Sequence, residues 1–573
     1  MNIFIYYLKK IKKEIYLNLK DFKIDQNINF DGVVFETPPE EFDFDLSSNI
    51  ALVLGKKNKQ NPRDLAKLIK DFLIEKVDDF EAIEIAGPGF INFKLKKKKC
   101  KEIIMDIIKS NNKYGSNFTN AKYNIEFVSA NPTGPMHVGH CRGAIFGDVL
   151  SNLLIFNGNE VTKEYYINDY GNQIINFTKS VYLRLREIKF KEKFINEVNL
   201  YPGEYIIDIA KNILIEEPNI NLEDFNKIFL KLKKIALNHS MNLIKNDLKA
   251  LGIKHNNFVS ETSLIEKNLV EKSISYLKEK NFVENGYLEP PKGELNKNWK
   301  KTKRLIFKST IFGDDTDRAL EKDDGTWTYF ANDIAYHNDK ISRNYNYLIN
   351  ILGADHTGYI KRITAAVTAL SENKVLLKCK VCQLVKLYKK GQPYKMSKRS
   401  GDFISVKNLL DEVDKDSIRF MMLNRSNDVE LDFDFDKILE KTKDNPVFYV
   451  QYCYARISSI FNSLDIEENE EFRFDKDFSL NVYEKKIFRK ILDWPKVIET
   501  ASTKQEPHRI PFYLYELATL FHSYWSKGNE DEKFKFIKKG KINNKSTLLI
   551  IKLVSLTIKN GMNILGVSLP KKM

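Results

Sequence analysis

Cysteine is scarce in this chain, with five among 573 residues. Because the five are scattered and odd in number, no disulfide framework is expected, and a reducing, cytoplasmic location is predicted. Cys379 and Cys382 form a single C-x-x-C motif, but no second pair or nearby histidine completes a set of four zinc ligands. We therefore expect no zinc and no other protein-bound metal, and we interpret residues 375–387 as one buried strand.

Long apolar runs are also missing. No stretch of about 20 apolar residues is apparent, so no membrane span is predicted. The N-terminal residues 1–20 are apolar and basic, but Lys9, Lys10 and Glu14 interrupt the apolar positions, and no small-residue cleavage site follows. An amphipathic helix is predicted there rather than a targeting signal.

Acidic residues are outnumbered by basic ones. The chain has 92 Lys and Arg against 77 Asp and Glu, a net charge of +15. Such a surplus favours a polyanionic partner. A compositional bias towards Lys, Asn and Ile explains it equally well, so the charge does not decide between them.

Changes in pattern divide the chain into three domains. Residues 1–118 mix helical and alternating stretches, which predicts a small α+β domain whose polar end, residues 111–120, is interpreted as a linker. Residues 119–440 alternate strands and helices, with a charged helical insertion at about 175–300. Residues 441–573 have few glycines and helical periodicity, which predicts an all-α bundle.

The middle domain begins with a strand, a turn, a helix and a second strand. An apolar run at 125–128 predicts the first strand, the helix covers about 139–156, and the second strand covers about 161–167. This order is the βαβ unit of a doubly wound parallel sheet. The predicted fold class is therefore multidomain α/β with a Rossmann-like central domain.

The turn of this unit carries two histidines, since residues 131–140 read NPTGPMHVGH. A helix N-terminus offers free N–H groups and a positive dipole end to anions. His137 and His140 share a face at helical spacing. Two imidazoles there can donate hydrogen bonds to phosphate oxygens and stabilise a transition state. The alternative is a helix cap with two incidental histidines, which the strand-turn-helix context disfavours.

A second motif lies far downstream, where residues 395–402 read KMSKRSGD. Lys395 and Lys398 supply positive charge that can neutralise a triphosphate as pyrophosphate leaves. Lysine suits this role because it is a compact, flexible point charge. Read alone, the run is a solvated basic loop, which is the commoner meaning of such clusters.

Together the two motifs resemble the signature pair of class I aminoacyl-tRNA synthetases, which bind ATP and promote attack of an amino-acid carboxylate on the α-phosphate. The resemblance implies catalytic roles for His137, His140, Lys395 and Lys398. The ATP-binding residues that it implies are Pro132, Thr133, Gly134, His137, Gly139, His140, Met396, Ser397 and Lys398. The sequence departs from the family pattern at Arg399, which displaces the last serine of the downstream motif.

Longer segments resemble arginyl-tRNA synthetases. The matching segments are GPGFINF at 87–93, IEFVSANPTG at 125–134, FGDD at 312–315, NPVFYVQY at 445–452 and LGVSLP at 565–570. They touch every predicted domain, so the resemblance covers essentially the whole chain. It implies an arginine–tRNA ligase that activates L-arginine with ATP and Mg²⁺ and transfers the arginyl group to tRNA(Arg).

The resemblance also implies which residues hold arginine. A guanidinium has five donors in a planar fork that suits carboxylates. The matched positions are Glu126, Ser129, Asn131, Tyr329, Asp333 and His356. Without the resemblance, Glu126 would be interpreted as an edge-strand surface residue and Asp333 as a solvated helix residue. Asn168, Asp169 and Gln173 follow the second strand and are expected to line the same crevice, whereas His337 is expected to be structural.

For tRNA, the resemblance implies an N-terminal domain that contacts the tRNA elbow, a C-terminal domain that binds the anticodon, and arginine activation that requires bound tRNA. Tyr449, Tyr452 and Arg456 are the expected tRNA contacts, with Phe448 and Tyr454 as further aromatic candidates. Helical spacing favours a place in the bundle core for about half of these aromatics. We expect a monomer with no membrane partner, although the residues do not determine the oligomeric state.

Three alternatives stay open on the sequence alone. A small-molecule nucleotidylyltransferase shares the histidine turn but lacks a large helical C-terminal domain. A catalytically inactive RNA-binding relative is disfavoured by the intact His137, His140 and Lys398. Within class I, a cysteinyl enzyme would need zinc ligands, and a glutamyl enzyme would need a basic pocket in place of Glu126 and Asp333.

Overall fold

The computed structural model describes residues 2–195, 197–288, 302–394, 404–467 and 478–573. The chain divides into two compact units. The first is formed by residues 1–117 together with 441–573, and the second by residues 118–440.

The N-terminal part of the first unit combines helices with an antiparallel sheet. Its elements are α1 Ile3–Leu17, β1 Phe35–Glu36, β2 Leu46–Ser48, α2 Ile50–Lys57, α3 Pro62–Lys76, β3 Phe80–Ala86, β4 Phe90–Leu95 and α4 Lys97–Ser110. The strands pair in the order β1-β2-β4-β3. The Asn2 side chain caps α1 by accepting hydrogen bonds from two backbone N–H groups, and the helix buries one apolar face. The amphipathic helix predicted at the N-terminus is therefore confirmed.

The predicted linker at residues 111–120 is wrong for its first part. Tyr114 is buried, and its hydroxyl donates a hydrogen bond to the carbonyl of Ile491 over 2.8 Å. The carbonyl of Tyr114 accepts a hydrogen bond from Trp494 Nε1 over 2.9 Å. Tyr114 and Phe118 are the two aromatics of this polar run, which is too little apolar signal to predict the anchoring of Tyr114 within the first unit.

A parallel sheet of five strands forms the centre of the second unit. Its strands are β5 Lys122–Glu126, β6 Glu160–Ile167, β7 Asn257–Ser260, β11 Tyr347–Gly353 and β12 Leu376–Cys382. Their order is β12-β11-β5-β6-β7, with every neighbouring pair parallel. The strand order reverses between β5 and β11, which is the topological switch point of a doubly wound sheet. The predicted Rossmann-like fold is confirmed.

Helices and short strands complete the second unit. The helices are α5 Val138–Phe156, α6 Asn172–Phe190, α7 Glu204–Glu216, α8 Phe225–Ala250, α9 Glu261–Glu266, α10 Leu269–Glu279, α11 Tyr329–Ser342, α12 Ile360–Ser371, α13 Val406–Glu412, α14 Lys415–Met421 and α15 Phe435–Leu439. The short strands are β8 Val283–Gly286, β9 Arg304–Phe307, β10 Arg318–Ala319, β13 Val385–Lys389, β14 Gln392–Pro393 and β15 Leu431–Asp434. They form two further sheets of three strands each.

The helical insertion predicted at 175–300 is too long. Strand β7 lies inside that range, yet it pairs with β6 as the outer strand of the central sheet, from Glu164–Asn257 to Ile167–Ser260. Four residues of mixed polarity give no clear period, so the sequence pattern does not separate this strand from the helices before it.

The single strand predicted at 375–387 is two strands. β12 belongs to the central sheet, whereas β13 pairs with β14 and β15 in another sheet. Cys379 and Cys382 both lie on β12, three positions apart, so their side chains leave opposite faces of the strand. Burial raises the pKa of both thiols to about 12, which keeps them protonated at neutral pH.

The C-terminal part of the first unit is helical apart from one short hairpin. Its elements are α16 Pro446–Ser463, α17 Val482–Leu492, α18 Trp494–Lys504, α19 Arg509–Glu530, β16 Ile537–Lys538, β17 Lys541–Ile542 and α20 Lys545–Leu565. Among the helices of the described residues, α20 alone has the length and composition to cross a membrane, although lysines interrupt its apolar residues. The helix is 89% buried within the protein over its most apolar stretch, as a core helix would be.

Candidate active site

The candidate site lies at the carboxyl ends of the central strands. Glu126 is the last residue of β5 and pairs in register with Asn350 of β11, across the switch point. Ligands bind in open α/β sheets in the crevice outside this edge. The strand and turn that hold Glu126 are therefore placed where the sequence predicted a functional crevice.

The chain turns sharply after β5. Val128 has a φ of 72° and Ser129 a φ of 40°, which is left-handed backbone and a genuine outlier for a β-branched residue. The Ser129 hydroxyl donates a hydrogen bond to Glu126 Oε1 over 3.1 Å and accepts one from the N–H of Tyr166 over 3.0 Å. This strained turn thus orients the carboxylate of Glu126.

His137 and His140 begin the first helix of the unit. His137 is the N-cap of α5, and its Nδ1 accepts a hydrogen bond from the N–H of Gly139 over 3.1 Å. His140 Nδ1 accepts one from the N–H of His137 over 3.2 Å. The two ring centroids are 3.8 Å apart. Each imidazole is therefore held against the helix N-terminus by its Nδ1 atom.

Both imidazoles are neutral at physiological pH. Burial lowers the pKa of His137, and burial followed by the charge of His137 lowers the pKa of His140 to about 4. A neutral imidazole whose Nδ1 accepts a hydrogen bond carries its proton on Nε2. The Nε2–H groups are thus hydrogen-bond donors without a full positive charge.

Two glycines of this turn are required by close packing. A Cβ on Gly134 would lie 2.9 Å from the Tyr205 ring, and a Cβ on Gly139 would lie 2.8 Å from the His137 ring. Pro132 is buried and Thr133 is half-buried in the same turn. The turn therefore packs against the helical region that follows β6, and the His137 ring position excludes a side chain at Gly139.

Contacts on both sides hold the histidine turn. The N–H of Met136 donates to Asp247 Oδ2 over 2.9 Å, and burial raises the pKa of Asp247 to about 6. The N–H of Val138 donates to the carbonyl of Ile404 over 2.9 Å, and Ser405 forms a β-bridge with His137. Residues 404 and 405 lie just after the downstream basic motif, separated from it by one residue. The motif itself, with Lys395, Met396, Ser397 and Lys398, lies outside the described residues.

Tyr329 and Asp333 lie in the first turns of α11, as their spacing predicted. The Thr328 side chain caps this helix by accepting a hydrogen bond from the N–H of Ala331. Tyr329 is exposed, and Asp333 is half-buried. Tyr359 donates its hydroxyl hydrogen bond to Asp333 Oδ2. Tyr359 was not among the predicted site residues, although its place soon after β11 was an available signal.

Other carboxylates surround Asp333. The pKa of Asp333 is raised to about 7, mainly by burial; Glu261 and Glu126 contribute to the rise, whereas the Tyr359 hydroxyl and Lys340 oppose it. Burial also raises the pKa of Glu261, whose Oε1 accepts a hydrogen bond from Asn332 Nδ2 over 2.8 Å. The site therefore concentrates negative charge that a cation would neutralise.

Glu126 is not a surface residue of an edge strand. β5 is the middle strand of the sheet, and Glu126 Oε2 accepts a hydrogen bond from Lys340 Nζ over 2.6 Å. The Glu126 side chain is 13% exposed and that of Lys340 is 0% exposed. Tertiary structure thus supplies an internal cation that the sequence analysis did not anticipate.

The remaining crevice residues make three separate kinds of contact. Asn131 Nδ2 donates to Gln173 Oε1 over 2.8 Å, and Asn131 Oδ1 accepts from Asn168 Nδ2 over 3.1 Å, so these three amides form one network. Asp169 accepts hydrogen bonds from Ser260 and Thr262 and therefore joins β6 to β7 and α9. His356 is exposed, and its ring lies 3.4 Å from the Asp355 carboxylate.

In the first unit, an aromatic group lies along α16. Arg456 donates to the Tyr452 hydroxyl over 2.9 Å and lies 4.2 Å from the centre of that ring. Tyr449 packs against His522 with ring centroids 4.3 Å apart. All three expected tRNA contacts are half-buried. Tyr454, a further candidate for base stacking, is only 4% exposed and belongs to the helical core.

The chain matches known proteins along its whole length. Residues 103–459 match the family model described as tRNA synthetases class I (R), catalytic domain. Residues 9–95 match the arginyl tRNA synthetase N terminal domain, and residues 450–573 match the DALR anticodon binding domain. An arginine–tRNA ligase from Pelagibacter ubique (strain HTCC1062) is 53% identical over 577 residues, covering 100% of each chain.

The chain belongs to the arginyl-tRNA synthetase family. It is therefore a class I aminoacyl-tRNA ligase with ATP as a substrate, and the predicted family is confirmed. An arginine–tRNA ligase from Ruegeria pomeroyi (strain ATCC 700808 / DSM 15171 / DSS-3) is 42% identical to this synthetase and covers 96% of each chain. The solved structure of Thermus thermophilus arginyl-tRNA synthetase has a TM-score of 0.69 at 18% identity, covering 99% of this synthetase and 100% of that chain. At that identity the match shows the fold alone.

Proposed function

We propose that this synthetase activates L-arginine with ATP at the crevice between β5 and β11 and transfers the arginyl group to tRNA(Arg). The observation that supports this proposal best is the meeting of two features at one sheet edge. One is a helix N-terminus with two neutral imidazoles, and the other is a group of carboxylates around Asp333. The first suits phosphates, and the second suits a guanidinium.

The ATP subsite is proposed at the N-terminus of α5. His137 and His140 donate from Nε2 to phosphate oxygens as charge develops during attack on the α-phosphate, and the turn residues Pro132, Thr133, Gly134 and Gly139 surround the nucleotide. Neutral donors held in place by backbone contacts cost no reorganisation during the reaction. The arginine carboxylate attacks, arginyl-adenylate forms, and pyrophosphate leaves.

The downstream basic motif is proposed to act on the same triphosphate. The pairing of Ile404 and Ser405 with the histidine turn supports this role, because these residues lie within three positions of the end of the motif. Lys395 and Lys398 neutralise the leaving pyrophosphate, with Met396 and Ser397 beside ATP. Mg²⁺ arrives with ATP as part of the substrate. Among the described residues, no group of three or more His, Cys, Asp or Glu side chains suits a resident metal ion.

The arginine subsite is proposed around Glu126 and Asp333. Each carboxylate already accepts one or two hydrogen bonds from the protein, and each keeps lone pairs for the guanidinium fork. The further arginine-binding residues of this proposal are Ser129, Asn131, Tyr329 and His356. Ser129 acts by orienting Glu126, and Tyr329 stands at the solvent side of α11.

For tRNA, the proposed contacts are Tyr449, Tyr452 and Arg456 on α16. Their half-buried rings and guanidinium can stack on or pair with unstacked bases. The N-terminal part of the chain is proposed to contact the tRNA elbow. The synthetase is proposed to act as a cytoplasmic monomer.

The decisive experiment is ATP–pyrophosphate exchange with each of the twenty amino acids, with and without total tRNA. Exchange with arginine alone, and only when tRNA is present, is the expected result. Exchange with a different amino acid would refute the arginine subsite but keep the class I assignment. A complete lack of exchange under all conditions would refute catalysis by this chain.

A further inference from the structure

Lys340 is a charged residue in the interior of the second unit. It is 0% exposed and lies on α11, two turns after Asp333. Its Nζ donates hydrogen bonds to Glu126 Oε2 over 2.6 Å and to Asn350 Oδ1 over 3.1 Å. It also lies 4.3 Å from the centre of the Tyr336 ring. These three neighbours equal in number the three N–H donors of an ammonium group. A lysine is tolerated in a protein interior only with such partners.

A hydrogen-bond relay links Lys340 to the backbone of Asp333. The Nδ1 of His337 lies 2.8 Å from the carbonyl of Asp333, so Nδ1 carries the proton and donates. The Nε2 of His337 then accepts from Asn350 Nδ2 over 2.9 Å. This leaves Asn350 Oδ1 to accept from Lys340. Burial lowers the pKa of His337 to about 3, so the ring stays neutral and the relay keeps one direction.

The charges of Glu126, Asp333 and Lys340 indicate what Lys340 contributes to the site. Glu126 and Asp333 each carry one negative charge when ionised, and Lys340 carries one positive charge. These three side chains sum to one net negative charge, and Glu261 is a further carboxylate that acts on Asp333, so Lys340 offsets part of the negative charge of the site. Without Lys340 the two carboxylates would repel each other, and the less solvated one would hold a proton instead of binding the substrate.

We propose that Lys340 is a positioning residue of the arginine subsite, which holds the Glu126 carboxylate in place and offsets one of the negative charges that act on Asp333. This inference rests on the proposed roles of Glu126 and Asp333. Lys340 does not contact the substrate itself. It acts through the carboxylate of Glu126 and through its charge on Asp333.

The proposal predicts a specific pH dependence. Besides burial, the groups that act on the Asp333 carboxylate are Tyr359, Glu261, Glu126 and Lys340, and together they give it a pKa of about 7. The His337 ring contacts the backbone carbonyl of Asp333 instead. Lys340 lowers this pKa, so its loss raises the pKa further. A protonated Asp333 must release its proton before it can bind a guanidinium. When the pH is lowered, a variant without the Lys340 charge should therefore lose kcat/KM for arginine at a higher pH than wild type does.

The test compares Lys340→Gln with Lys340→Arg in tRNA-dependent ATP–pyrophosphate exchange, between pH 6 and pH 9. For Lys340→Gln, the midpoint of the acid limb of kcat/KM for arginine should move up, by at most about one pH unit, because a positive charge that lowers the pKa of Asp333 is lost. Its KM for arginine should rise at least about tenfold at pH 7, with KM for ATP nearly unchanged. Lys340→Arg keeps the charge and should keep the wild-type midpoint.

Two further variants complete the design. Lys386→Gln removes a lysine from a half-exposed ion pair with Glu430 in the same unit and should leave both KM values and the midpoint unchanged. Glu126→Gln combined with Lys340→Met removes one charge of each sign. A buried ion pair replaced by neutral groups is often tolerated, so this double variant should fold even if Lys340→Gln does not. Its acid midpoint should return to the wild-type value.

The outcomes separate this inference from the proposed function. A uniform loss of activity at every pH in Lys340→Gln, with an unchanged midpoint, would show a structural role and overturn the inference. A double variant with a shifted midpoint would also overturn it. If Glu126→Gln and Asp333→Asn leave KM for arginine unchanged, the arginine subsite itself is misplaced, and the proposed function fails at that point instead.

Discussion

The ionised Asp333 carboxylate is predicted to lower the stability of the folded protein while it contributes to arginine binding. Burial raises its pKa from 3.8 to about 7, which means that the folded protein resists ionising this carboxyl group. A raised carboxyl pKa costs stability as pH rises from the unfolded value to the folded one, because the unfolded chain releases the proton first. The replacement Asp333→Asn removes this cost while it keeps the size of the side chain. The variant should therefore be more stable than wild type at neutral and alkaline pH.

The magnitude follows from the shift. A change from 3.8 to about 7 corresponds to about 4 kcal/mol above pH 7 if all of it acted on the free energy of unfolding. Asp333 is half-buried, so water reduces this value, and we expect about 1–3 kcal/mol. For a unit of this size the gain corresponds to roughly 2–5 °C in Tm at pH 8.5. About half of the gain should remain at pH 5.5, inside the titration window.

The assay is thermal unfolding of both proteins at the two pH values, with and without L-arginine and tRNA. Wild type should gain Tm from arginine at pH 8.5, and Asp333→Asn should not, because the guanidinium loses a charged partner. The matched control is Asp208→Asn on α7, a carboxylate with a side chain that is 72% exposed, whose replacement should leave Tm unchanged. An Asp333→Asn variant that melts at or below wild type at both pH values would refute the electrostatic reasoning.

Three further predictions follow from individual contacts. Tyr359→Phe removes the hydroxyl that donates to Asp333 and lowers its pKa, so KM for arginine should rise about tenfold at pH 7 and recover towards pH 9; an equal rise at both pH values would contradict this. Arg142 is buried and donates to the carbonyls of three residues, Gln383, Ser426 and Val429; Arg142→Met should therefore destabilise the second unit by about 3–5 kcal/mol, measured by thermal unfolding. Arg456→Met should raise KM for tRNA about tenfold in aminoacylation without changing KM for ATP or arginine, and unchanged tRNA use would remove Arg456 from the proposed contacts.

Much of the candidate site follows from local sequence order. A strand, a glycine-rich turn and a helix place His137 and His140 at a helix N-terminus in any doubly wound fold, and the spacing of Tyr329 and Asp333 places both on one helical face. Both arrangements are found in the structure. The contacts involved are within a few residues of each other along the chain, so periodicity and capping rules suffice to predict them.

The contacts that connect distant segments were not predictable in the same way. Lys340 reaches Glu126 across 214 positions, and Tyr359 reaches Asp333 across 26 positions, with β11 between them in the chain. The short strand β7 joined the central sheet through pairing with β6, although its four residues show no period of their own. These long-range contacts depend on which strands become neighbours in the sheet. The order of the strands cannot be predicted from any single segment of the sequence.

Residue order by itself therefore determined the family, the Rossmann-like sheet, the histidine turn and the basic character of the chain. Tertiary structure alone decided the electrostatics of the site. It buried Lys340 beside Glu126, raised the pKa of Asp333, and turned Tyr454 and α20 into core elements. The physical reason is that periodicity reports local backbone preference, whereas burial and charge pairing are set by side chains that are far apart in sequence and meet only after folding.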